Sequence, residues 1–577
     1  MQIKKIKRRS ADISPQLQQS GLHPVLQKVL SNRNIRSPDE LEYSLNRLIG
    51  FEQLKGIEQA ADIIVNAILQ QKKILIVGDF DADGATSTAV CLRALNMLGH
   101  QQVDYLVPNR FDFGYGLSPE LVAVACEDKP DLLITVDNGI SSLQGVAAAR
   151  EAGIDVVVTD HHLAASELPN ASAIVNPNQP GCSFASKNLA GVGVIFYVML
   201  AVRAALRKQG YFNGQRSEPN MAQLLDLVAL GTVADVVPLD ENNRILVYQG
   251  LKRMLADRAC VGIQQILKVA GRDMRRLVAS DLGFVVGPRL NAAGRLEDMS
   301  LGIECLITDD ANRAAAIAEQ LDQLNKSRRE IEQQMQRQAM QSLEHLQASI
   351  SQSHLPWGMS LYNRDWHQGV IGILASRIRE KFHRPVVIFA NDNEQLIKGS
   401  ARSIKGLHIR DALEQVSSQH PGMIIKFGGH AMAAGLSILK KDFKAFEQAF
   451  NKVVKDKLNE DALQGVIESD GELSGQDLNL KLAQAIRQAG PWGQGFDEPI
   501  FDGEFEVLDW RVVGEKHLKM ELQSEDAEKP ISAIAFNAPA SKMQGSGGFI
   551  RAAFRLDVNE YRNRQSAQLV VEYFEAL

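Results

Sequence analysis

The sequence predicts an α/β protein that consists of a parallel-sheet domain, a long connecting helix, a second α/β domain and a small C-terminal β-barrel. Three observations predict this order. Short apolar stretches alternate with helical patterns in the first half of the chain, as in βαβ units. A helical apolar stripe then runs from about residue 312 to 350 without proline or glycine. After about residue 465, short alternating stretches are typical of a small β-barrel.

The composition limits the class of protein. The chain has 577 residues, enough for several domains, and its net charge of −6 neither favours nor excludes a nucleic-acid partner. The five cysteines form no C-x-x-C pair, which argues against a zinc ribbon or a disulfide framework. The first residues lack the apolar core of a signal peptide, and the most apolar stretch, Leu189 to Val202, is shorter than a membrane span. We therefore expect a cytoplasmic protein that does not enter a membrane.

Three carboxylates follow the first predicted strand. Ile74 to Val77 is an apolar run typical of a buried parallel strand, and Asp79, Asp81 and Asp83 come directly after it. Ligands bind at the carboxyl edge of open α/β sheets. Carboxylates at this spacing repel one another unless a cation lies between them, and oxygen ligands favour magnesium or manganese over zinc. The alternative is a solvated turn with helix-capping aspartates, but three aspartates favour a metal site.

Polar residues also follow later strands of the same predicted sheet. Four more strands are predicted, at Val103–Val107, Leu132–Val136, Val156–Thr159 and Ala173–Val175. Asp137 follows the second of these, and Asp160, His161 and His162 follow the third. Parallel strands with helical crossovers end at one edge of a sheet, so these side chains should converge on the first three aspartates. Alone, Asp137 could cap a helix and His161 could be an ordinary core histidine; together they favour a binuclear metal site.

Two further segments carry candidate site residues. Asp235 lies in an apolar run after the predicted helix Met221 to Leu230, and a buried unpaired carboxylate is costly. Its partner would be a metal ion, a helix N-terminus or an arginine. Residues 287–295, GPRLNAAGR, predict a loop. Arg289 and Arg295 in it would hold a phosphate through their guanidinium groups or would pack in a domain joint.

The second α/β domain has small residues beside cations at three places, Trp366 to Gly372, Lys398 to Ser403 and Lys426 to His430. Small residues let backbone amides approach a phosphate, so these segments, with Arg377 and Arg402, suggest an anion or nucleotide site.

The two ends of the chain hold further candidates for nucleic-acid contact. The basic residues between Lys4 and Arg9 are expected to form a solvated tail. On the barrel, aromatic and basic side chains would stack single-stranded bases. The candidates are Trp492, Phe496, Lys516, His517 and Lys519. Packing in a domain joint is an equal alternative for Trp492.

The motifs together carry a resemblance to a known family. DFDADG, VDNG, DHH and GTVADVVPL, in this order, resemble the DHH phosphoesterase superfamily. GPRLNAAGR, WHQGVIGILASR and FGGH are similar to motifs of its bacterial RecJ branch, whose members are single-strand-specific 5′-to-3′ DNA exonucleases. The resemblance covers nearly the whole chain. It implies an N-terminal segment at 1–50, a DHH catalytic domain at 51–305, a connecting helix at 306–352, a DHH-associated domain at 353–460 and an OB-fold nucleic-acid-binding domain at 461–577.

The resemblance also implies which residues act. The metal ligands map onto Asp79, Asp81, Asp83, Asp137, His161 and Asp235. Catalytic residues are expected at Asp81, Asp83, Asp137, His161 and His162, with Asp160 and His162 supporting the ligands. The DNA strand and its terminal phosphate would bind Arg110, Arg289, Ser400, Arg402 and His430. A cleft between the two catalytic domains would thread one strand and exclude a duplex.

The expected function is metal-dependent degradation of single-stranded DNA from its 5′ end to mononucleotides, in recombination and DNA repair. The mechanism would be two-metal phosphodiester hydrolysis with manganese or magnesium, and Asp137 is the expected bridging ligand. The alternative is a DHH-type phosphodiesterase of short oligonucleotides or cyclic dinucleotides, which would need neither the barrel nor the long helix. A third hypothesis, a non-catalytic DNA-binding protein, conflicts with the complete set of acids and histidines.

Partners follow from the resemblance alone. They are single-stranded DNA, single-stranded DNA-binding protein, and proteins of recombination and mismatch repair. We expect a monomer.

Overall fold

The computed structural model describes residues 4–108, 116–349, 355–514, 517–538, 540, 543, 548–561 and 564–577. The chain divides into two compact units. The large unit comprises Ser10–Asn325 and Asp470–Leu577, and the small unit comprises the residues up to Arg9 and Lys326–Ser469. Each unit contains its own sheet, and the C-terminal part of the large unit adds a closed barrel. The predicted fold class is confirmed.

Up to the long helix, strands and helices alternate as predicted. In chain order they are β1 Lys5–Arg8, α1 Pro15–Gln18, α2 Pro24–Ser31, α3 Ile57–Leu69, β2 Ile74–Val77, α4 Ala82–Met97, β3 Val103–Leu106, α5 Pro119–Glu127, β4 Leu132–Val136, α6 Leu143–Glu151, β5 Asp155–Thr159, β6 Ala173–Val175, α7 Gly191–Lys208, α8 Leu225–Ala234, α9 Glu241–Leu255, α10 Val261–Val269, α11 Ala279–Asp281, α12 Gly287–Leu296 and α13 Ser300–Ile307. Strands β2 and β4 are buried along their whole length, as expected of central strands in a parallel sheet.

The second half begins with the predicted long helix. The elements are α14 Ala311–Ser349, β7 Met359–Tyr362, α15 Ile371–Phe382, β8 Val386–Asn391, β9 Leu396–Arg402, α16 Ile409–Gln419, β10 Ile424–Gly429, β11 Ala433–Leu439, α17 Phe443–Lys457, β12 Val466–Ser469, α18 Leu480–Gln488, β13 Phe501–Val513, β14 His517–Gln523, β15 Ile531–Ala535, β16 Phe549–Tyr561 and β17 Arg564–Ala576. Helix α14 extends over 39 residues because no proline or glycine interrupts it.

The parallel sheet of the large unit positions the candidate site. Its strand order is β3-β2-β4-β5-β6, and every neighbouring pair is parallel. All five carboxyl ends therefore lie at one edge of the sheet. Strand β4 lies between β2 and β5, so the polar residues that follow these three strands are brought side by side. Helices α4, α7 and α8 pack against one another in the same unit.

The small unit contains a mixed sheet and corrects one expectation. Its strand order is β10-β11-β9-β8-β7, with only β7 and β8 parallel. The basic N-terminal residues are not a solvated tail, since β1 pairs in parallel with β12 and Arg9 forms a 2.9 Å ion pair with Glu468. The strand has only four residues, too few to show an alternating pattern in the sequence. In the part of the chain that the structure describes, none of the helices combines the length and apolar character needed to cross a bilayer.

The barrel closes in the order β13-β14-β15-β17-β16. Phe496 does not offer a surface to bases, because it is 1% exposed and stacks on Trp492 with 5.0 Å between ring centroids. The guanidinium of Arg33 lies 5.3 Å from the Trp492 ring, so Trp492 packs between segments of the large unit, as the alternative interpretation predicted. His517 and Lys519 lie on β14, where base stacking stays a prediction. Lys516 lies outside the described residues.

A buried ion pair ties the N-terminal segment to the chain that leads into the barrel. Arg33 Nη1 and Nη2 each lie 3.0 Å from one oxygen of Asp470, and the two side chains are 3% and 0% exposed. Asp470→Ala should lower the free energy of unfolding of the large unit by about 3–5 kcal/mol, because it leaves a buried guanidinium without its partner. Urea denaturation monitored by tryptophan fluorescence measures this loss.

The matched control for that prediction is Glu241→Ala. Glu241 pairs with Arg47 at 2.9 Å, but both side chains are well exposed, so its loss should cost less than about 1 kcal/mol. Equal effects of the two substitutions would contradict the assigned role of the buried pair.

Candidate metal centre

All six predicted metal ligands lie in the large unit at the carboxyl edge of the parallel sheet. Asp79, Asp81 and Asp83 follow β2, while Asp137 and His161 follow β4 and β5. Asp235 is the C-terminal cap of α8, directly after its last residue, Ala234. The ligands fall into two groups of three, in each of which the ligand atoms lie within 4.8 Å of one another. One group is Asp79, Asp81 and Asp137, and the other is Asp83, His161 and Asp235.

Two residues link these groups. Asp137 and His161 also belong to a third group of the same compactness, with His162. His161 Nε2 lies 3.2 Å from Asp137 Oδ1, 3.5 Å from Asp235 Oδ2 and 4.0 Å from Asp83 Oδ2. This nitrogen is buried and makes no hydrogen bond of ordinary geometry with the described residues. An imidazole nitrogen that faces three carboxylates in this way fits a divalent cation, whose ligands are neutral imidazole and ionised carboxylate.

The electrostatics of the cluster also favour a cation. Burial raises the pKa of Asp83, and the nearby charges of Asp235 and Asp81 raise it further. Burial and the charges of its acidic neighbours raise the pKa of Asp137 in the same way. The pKa of Asp235 is raised chiefly by burial. In the absence of a cation these groups therefore tend to hold protons, and positive charge at the site allows them all to ionise.

Backbone groups position two of the aspartates. Asp81 caps α4, since its Oδ1 accepts hydrogen bonds from the backbone N–H groups of Asp83 and Gly84 at 2.9 and 3.0 Å. Asp81 is therefore a helix-capping aspartate, as the alternative interpretation predicted. Its other carboxylate oxygen can still bind a cation in the cluster. Both oxygens of Asp83 accept bonds from the first turn of α7, from Gly191 N at 2.6 Å and Val192 N at 3.0 Å.

Asp160 holds the loop that carries the two histidines. Its Oδ1 accepts bonds from the backbone N–H groups of His161 and His162 at 2.7 and 3.1 Å, and Oδ2 accepts from Ile140 N at 2.9 Å. His162 Nδ1 lies 2.7 Å from Asp160 Oδ1. Burial opposes charge on both side chains, but this bond outweighs it, lowering the pKa of Asp160 and raising the pKa of His162 to about 9. Asp160 therefore fixes the orientation of this loop.

Asp160→Asn should weaken manganese binding by about 10–100-fold, because groups that orient metal ligands typically contribute that much affinity. Isothermal titration of the metal-free protein with manganese measures the change. Asp155→Asn is the matched control, since Asp155 begins the same strand β5 but is exposed. Unchanged manganese affinity in a folded Asp160→Asn protein would contradict the orienting role.

Two residues that shape the centre were not predicted from the sequence, Gly191 and Asn291. Gly191 has no side chain where a Cβ would lie 2.6 Å from Asp137 Oδ1, so it leaves room for that carboxylate. Asn291 Oδ1 accepts a 2.8 Å bond from Ala82 N at the start of α4. Asn291 lies in GPRLNAAGR, and the predicted loop there is wrong, since residues 287–296 form helix α12. The small residues of that motif could have indicated this contact, because they let α12 approach the loop that carries Asp79 and Asp81.

Of the two arginines of the large unit predicted to bind the DNA strand, Arg110 and Arg289, the structure describes only Arg289. Arg289 is 8% exposed and forms a buried ion pair, with Nη2 2.8 Å from Asp322 Oδ1. Its guanidinium also donates to Val285 O at 2.7 Å. This geometry matches the packing alternative, and contact with a phosphate stays a prediction. Arg110 lies outside the described residues.

In the small unit, the side chains of two predicted anion-binding residues, Arg402 and Ser400, lie together, and the backbone of a third, His430, lies at the same end of the sheet. Arg402 Nη1 donates to Ser400 Oγ at 3.1 Å, and both side chains lie beside Gly372 at the start of α15. Arg402 is paired across the sheet with Ala433, whose carbonyl accepts a 2.8 Å bond from His430 N. Burial lowers the pKa of Arg402, and the charge of Arg379 lowers it further, so an anion at this position would be favourable.

Three family profiles match the chain. The DHH family N-terminal domain matches residues 73–232, the DHHA1 domain matches residues 357–456, and the RecJ OB domain matches residues 469–573. The first two ranges contain the parallel sheet and the mixed sheet, and the third covers the barrel except for the last residues of β17.

Several relatives and solved structures match along almost the whole chain. The single-stranded-DNA-specific exonuclease RecJ of Haemophilus influenzae is 52% identical over 100% of this chain and 99% of its own length. The protein of that name from Escherichia coli is 51% identical over 98% of both chains. A crystal structure of RecJ from Thermus thermophilus in complex with Mn²⁺ has a TM-score of 0.81 and 26% identity, covering 99% of this chain and 79% of that chain. A complex with Mg²⁺ from the same organism has a TM-score of 0.75 and 25% identity, covering 99% and 78%.

Proposed function

The chain belongs to the RecJ family of DHH phosphoesterases, and we propose that it is a divalent-metal-dependent exonuclease that degrades single-stranded DNA from the 5′ end to mononucleotides. The observation that carries the proposal is the full-length match at 52% identity to a single-stranded-DNA-specific exonuclease. The two compact groups of oxygen and nitrogen ligands support it.

The residues of the centre would hold two divalent ions, manganese or magnesium. Asp79 and Asp81 would hold one ion and Asp83, His161 and Asp235 the other, with Asp137 between them. Bound ions of this kind supply Lewis acidity and lower the pKa of water, so that hydroxide is available at neutral pH. The complexes of Thermus thermophilus RecJ with Mn²⁺ and with Mg²⁺ support these two metals.

The chain's own side chains would position the reacting groups. Asp83 is fixed by two backbone N–H groups of α7, and Asp160 fixes the loop that carries His161, so these two ligands of the group Asp83, His161 and Asp235 are oriented before substrate binds. The pKa of His162 is raised by Asp160, so this side chain would place a positive charge beside the carboxylates. That charge would favour approach of the anionic phosphodiester.

Arg402, Ser400 and His430 would hold the phosphate backbone of the strand. Arg402→Ala should raise KM for single-stranded DNA about tenfold or more, because a charge-assisted hydrogen bond to phosphate contributes about 1.5–3 kcal/mol. Steady-state kinetics on a labelled oligonucleotide measures this change. Lys455→Ala, which removes an exposed cation from α17 of the same unit, should leave KM unchanged. Equal KM values for the two variants would contradict the proposed contact.

The alternative, a phosphodiesterase of short substrates, differs in the length of strand that it cleaves. Long single strands, blunt duplexes, dinucleotides and cyclic dinucleotides should be compared at equal concentration with manganese. The proposal predicts rapid release of mononucleotides from the long single strand and little from the duplex. Hydrolysis of dinucleotides or cyclic dinucleotides without digestion of long strands would support the alternative.

We also propose a cellular setting. All five cysteines are free thiols, which suits a reducing compartment such as the cytoplasm. Degradation of single strands there would serve recombination and DNA repair, including mismatch repair. Single-stranded DNA-binding protein and the proteins of those processes would be its partners, and it would act as a monomer.

A further inference from the structure

A cavity of about 460 Å³ lies in the large unit, away from the metal ligands. Its walls include the last turns of α4, the first residues of α8 and the chain that follows α9. Helix α4 carries Asp83 near its start and Arg93 at the cavity, ten residues later, so the two positions are about 15 Å apart along the helix axis. The volume is within the range of about 300–1,000 Å³ for small-molecule sites.

Two buried polar atoms in the cavity lining make no hydrogen bond of ordinary geometry in the described part of the chain. They are Asp226 Oδ1 and Arg253 Nε. Asp226 is 1% exposed, and its other oxygen accepts a 2.6 Å bond from Cys260 N. Burial raises the pKa of Asp226, and the charge of Arg253 only partly opposes this effect. A buried acceptor and a buried donor without partners are costly, and a ligand that both donates and accepts hydrogen bonds would satisfy them.

The mouth of the cavity is rich in arginine. Arg258 is exposed, and its guanidinium makes no hydrogen bond or ion pair with any described residue. Arg93 donates through Nε to Leu306 O at 3.0 Å and pairs through Nη2 with Asp309 at 2.8 Å. Asp309 is 82% exposed, so this ion pair is weak and a phosphate can compete with the carboxylate for Nη2. With Arg253, the lining has three guanidinium groups against two carboxylates, a balance that favours an anion.

We propose that this cavity binds a nucleotide, with the base edge at Asp226 and Arg253 and the phosphate at Arg258 and Arg93. Every nucleobase presents both N–H donors and carbonyl or ring-nitrogen acceptors, which are the two kinds of partner that Asp226 Oδ1 and Arg253 Nε lack. The nucleotide is either a free deoxynucleoside monophosphate or a nucleotide of a bound DNA strand. The site is separate from the metal centre and does not depend on hydrolysis.

The test is isothermal titration of the full chain with each of the four deoxynucleoside monophosphates, inorganic phosphate and a short single strand. The titrations are done in EDTA, so that no bound cation attracts phosphate to the metal centre or allows hydrolysis of the strand. One nucleotide per chain should bind, and more tightly than inorganic phosphate. Binding by the monophosphates identifies the free nucleotide as the source. Binding by the short strand alone identifies the strand only if Arg258→Ala weakens it, because the proposed contacts of Arg402 also hold a strand.

Variants assign the binding to the cavity. Arg258→Ala removes an exposed side chain whose guanidinium makes no hydrogen bond or ion pair with the described residues, so it should fold normally and raise the Kd about tenfold or more. In Asp226→Asn the amide oxygen would keep the bond from Cys260 N, so the NH2 group would lie where the ligand needs an acceptor, and binding should weaken. Lys268→Ala, an exposed cation on α10 outside the cavity lining, and Asp137→Asn at the metal centre should leave the Kd unchanged. Absence of nucleotide binding, equal affinity for inorganic phosphate, or binding unaffected by Arg258→Ala would overturn the proposal.

Discussion

Asp137→Asn should lower the rate of single-strand hydrolysis by at least about 1,000-fold. Asp137 is buried and shares two compact ligand groups, one with Asp79 and Asp81 and one with His161 and His162. Asparagine keeps the shape but removes the charge that would be shared by both ions. Loss of about 4 kcal/mol of transition-state stabilisation corresponds to that factor, since each 1.4 kcal/mol is tenfold. The measurement is kcat on labelled single-stranded DNA at saturating manganese.

The stability of the same variant separates catalysis from folding. The pKa of Asp137 is raised in the folded state by burial and by its acidic neighbours, so its ionised form costs stability at neutral pH. Asp137→Asn should therefore unfold in EDTA at the wild-type temperature or higher, while the increase in Tm on adding manganese is lost. Asp62→Asn, on the exposed face of α3, is the control. Wild-type activity in Asp137→Asn, or inactivity accompanied by unfolding in EDTA, would contradict the role of Asp137.

Gly191→Ala should reduce hydrolysis about 100-fold without removing any ligand. An alanine Cβ at this position would lie 2.6 Å from both Cβ and Oδ1 of Asp137, so one of the two must move. Gly191 N also donates to Asp83, so a shift of the helix start disturbs both ligand groups. Displacement of a reacting group by about 1 Å can cost about 100-fold in rate. Activity at saturating manganese and the manganese Kd measure the effect together.

The control for this glycine is Gly214→Ala. A Cβ on Gly214 meets nothing within 4 Å, so this variant should behave as the wild type. A Gly191→Ala protein with unchanged manganese affinity and unchanged rate would show that the close approach to Asp137 has no part in the centre.

Much of the centre could be predicted because a parallel sheet brings residues that are distant in the sequence together at one edge. Runs of branched apolar residues indicated the strands, and residues directly after such strands must meet at one edge of the sheet. Asp79, Asp137 and His161 are far apart in the chain, yet their positions after β2, β4 and β5 were enough to place them together. Asp235 was harder to place, since it caps a helix, and only its charge within an apolar run marked it.

Other features depend on contacts that no local pattern reveals. A glycine at the start of a helix does not by itself indicate a functional site. Gly191 matters only because Asp137 lies against it in the folded chain. The motif GPRLNAAGR resembled a loop because proline and glycine usually interrupt helices, but Pro288 directly follows the π-helical turn Leu282–Val286, which runs without a break from α11 into α12. Phe496 was expected at a surface, yet it is buried and stacks on Trp492. Tertiary packing decides each of these cases.

The most direct test of the proposed function is digestion of one labelled single strand that is blocked at either its 5′ or its 3′ end. The strand should be incubated with manganese, with magnesium and with EDTA, beside Asp81→Ala and Asp137→Asn. We expect mononucleotides only when the 5′ end is free and a divalent metal is present, and none from either variant. Digestion from a free 3′ end, or undiminished digestion in EDTA, would contradict a metal-dependent 5′-to-3′ exonuclease.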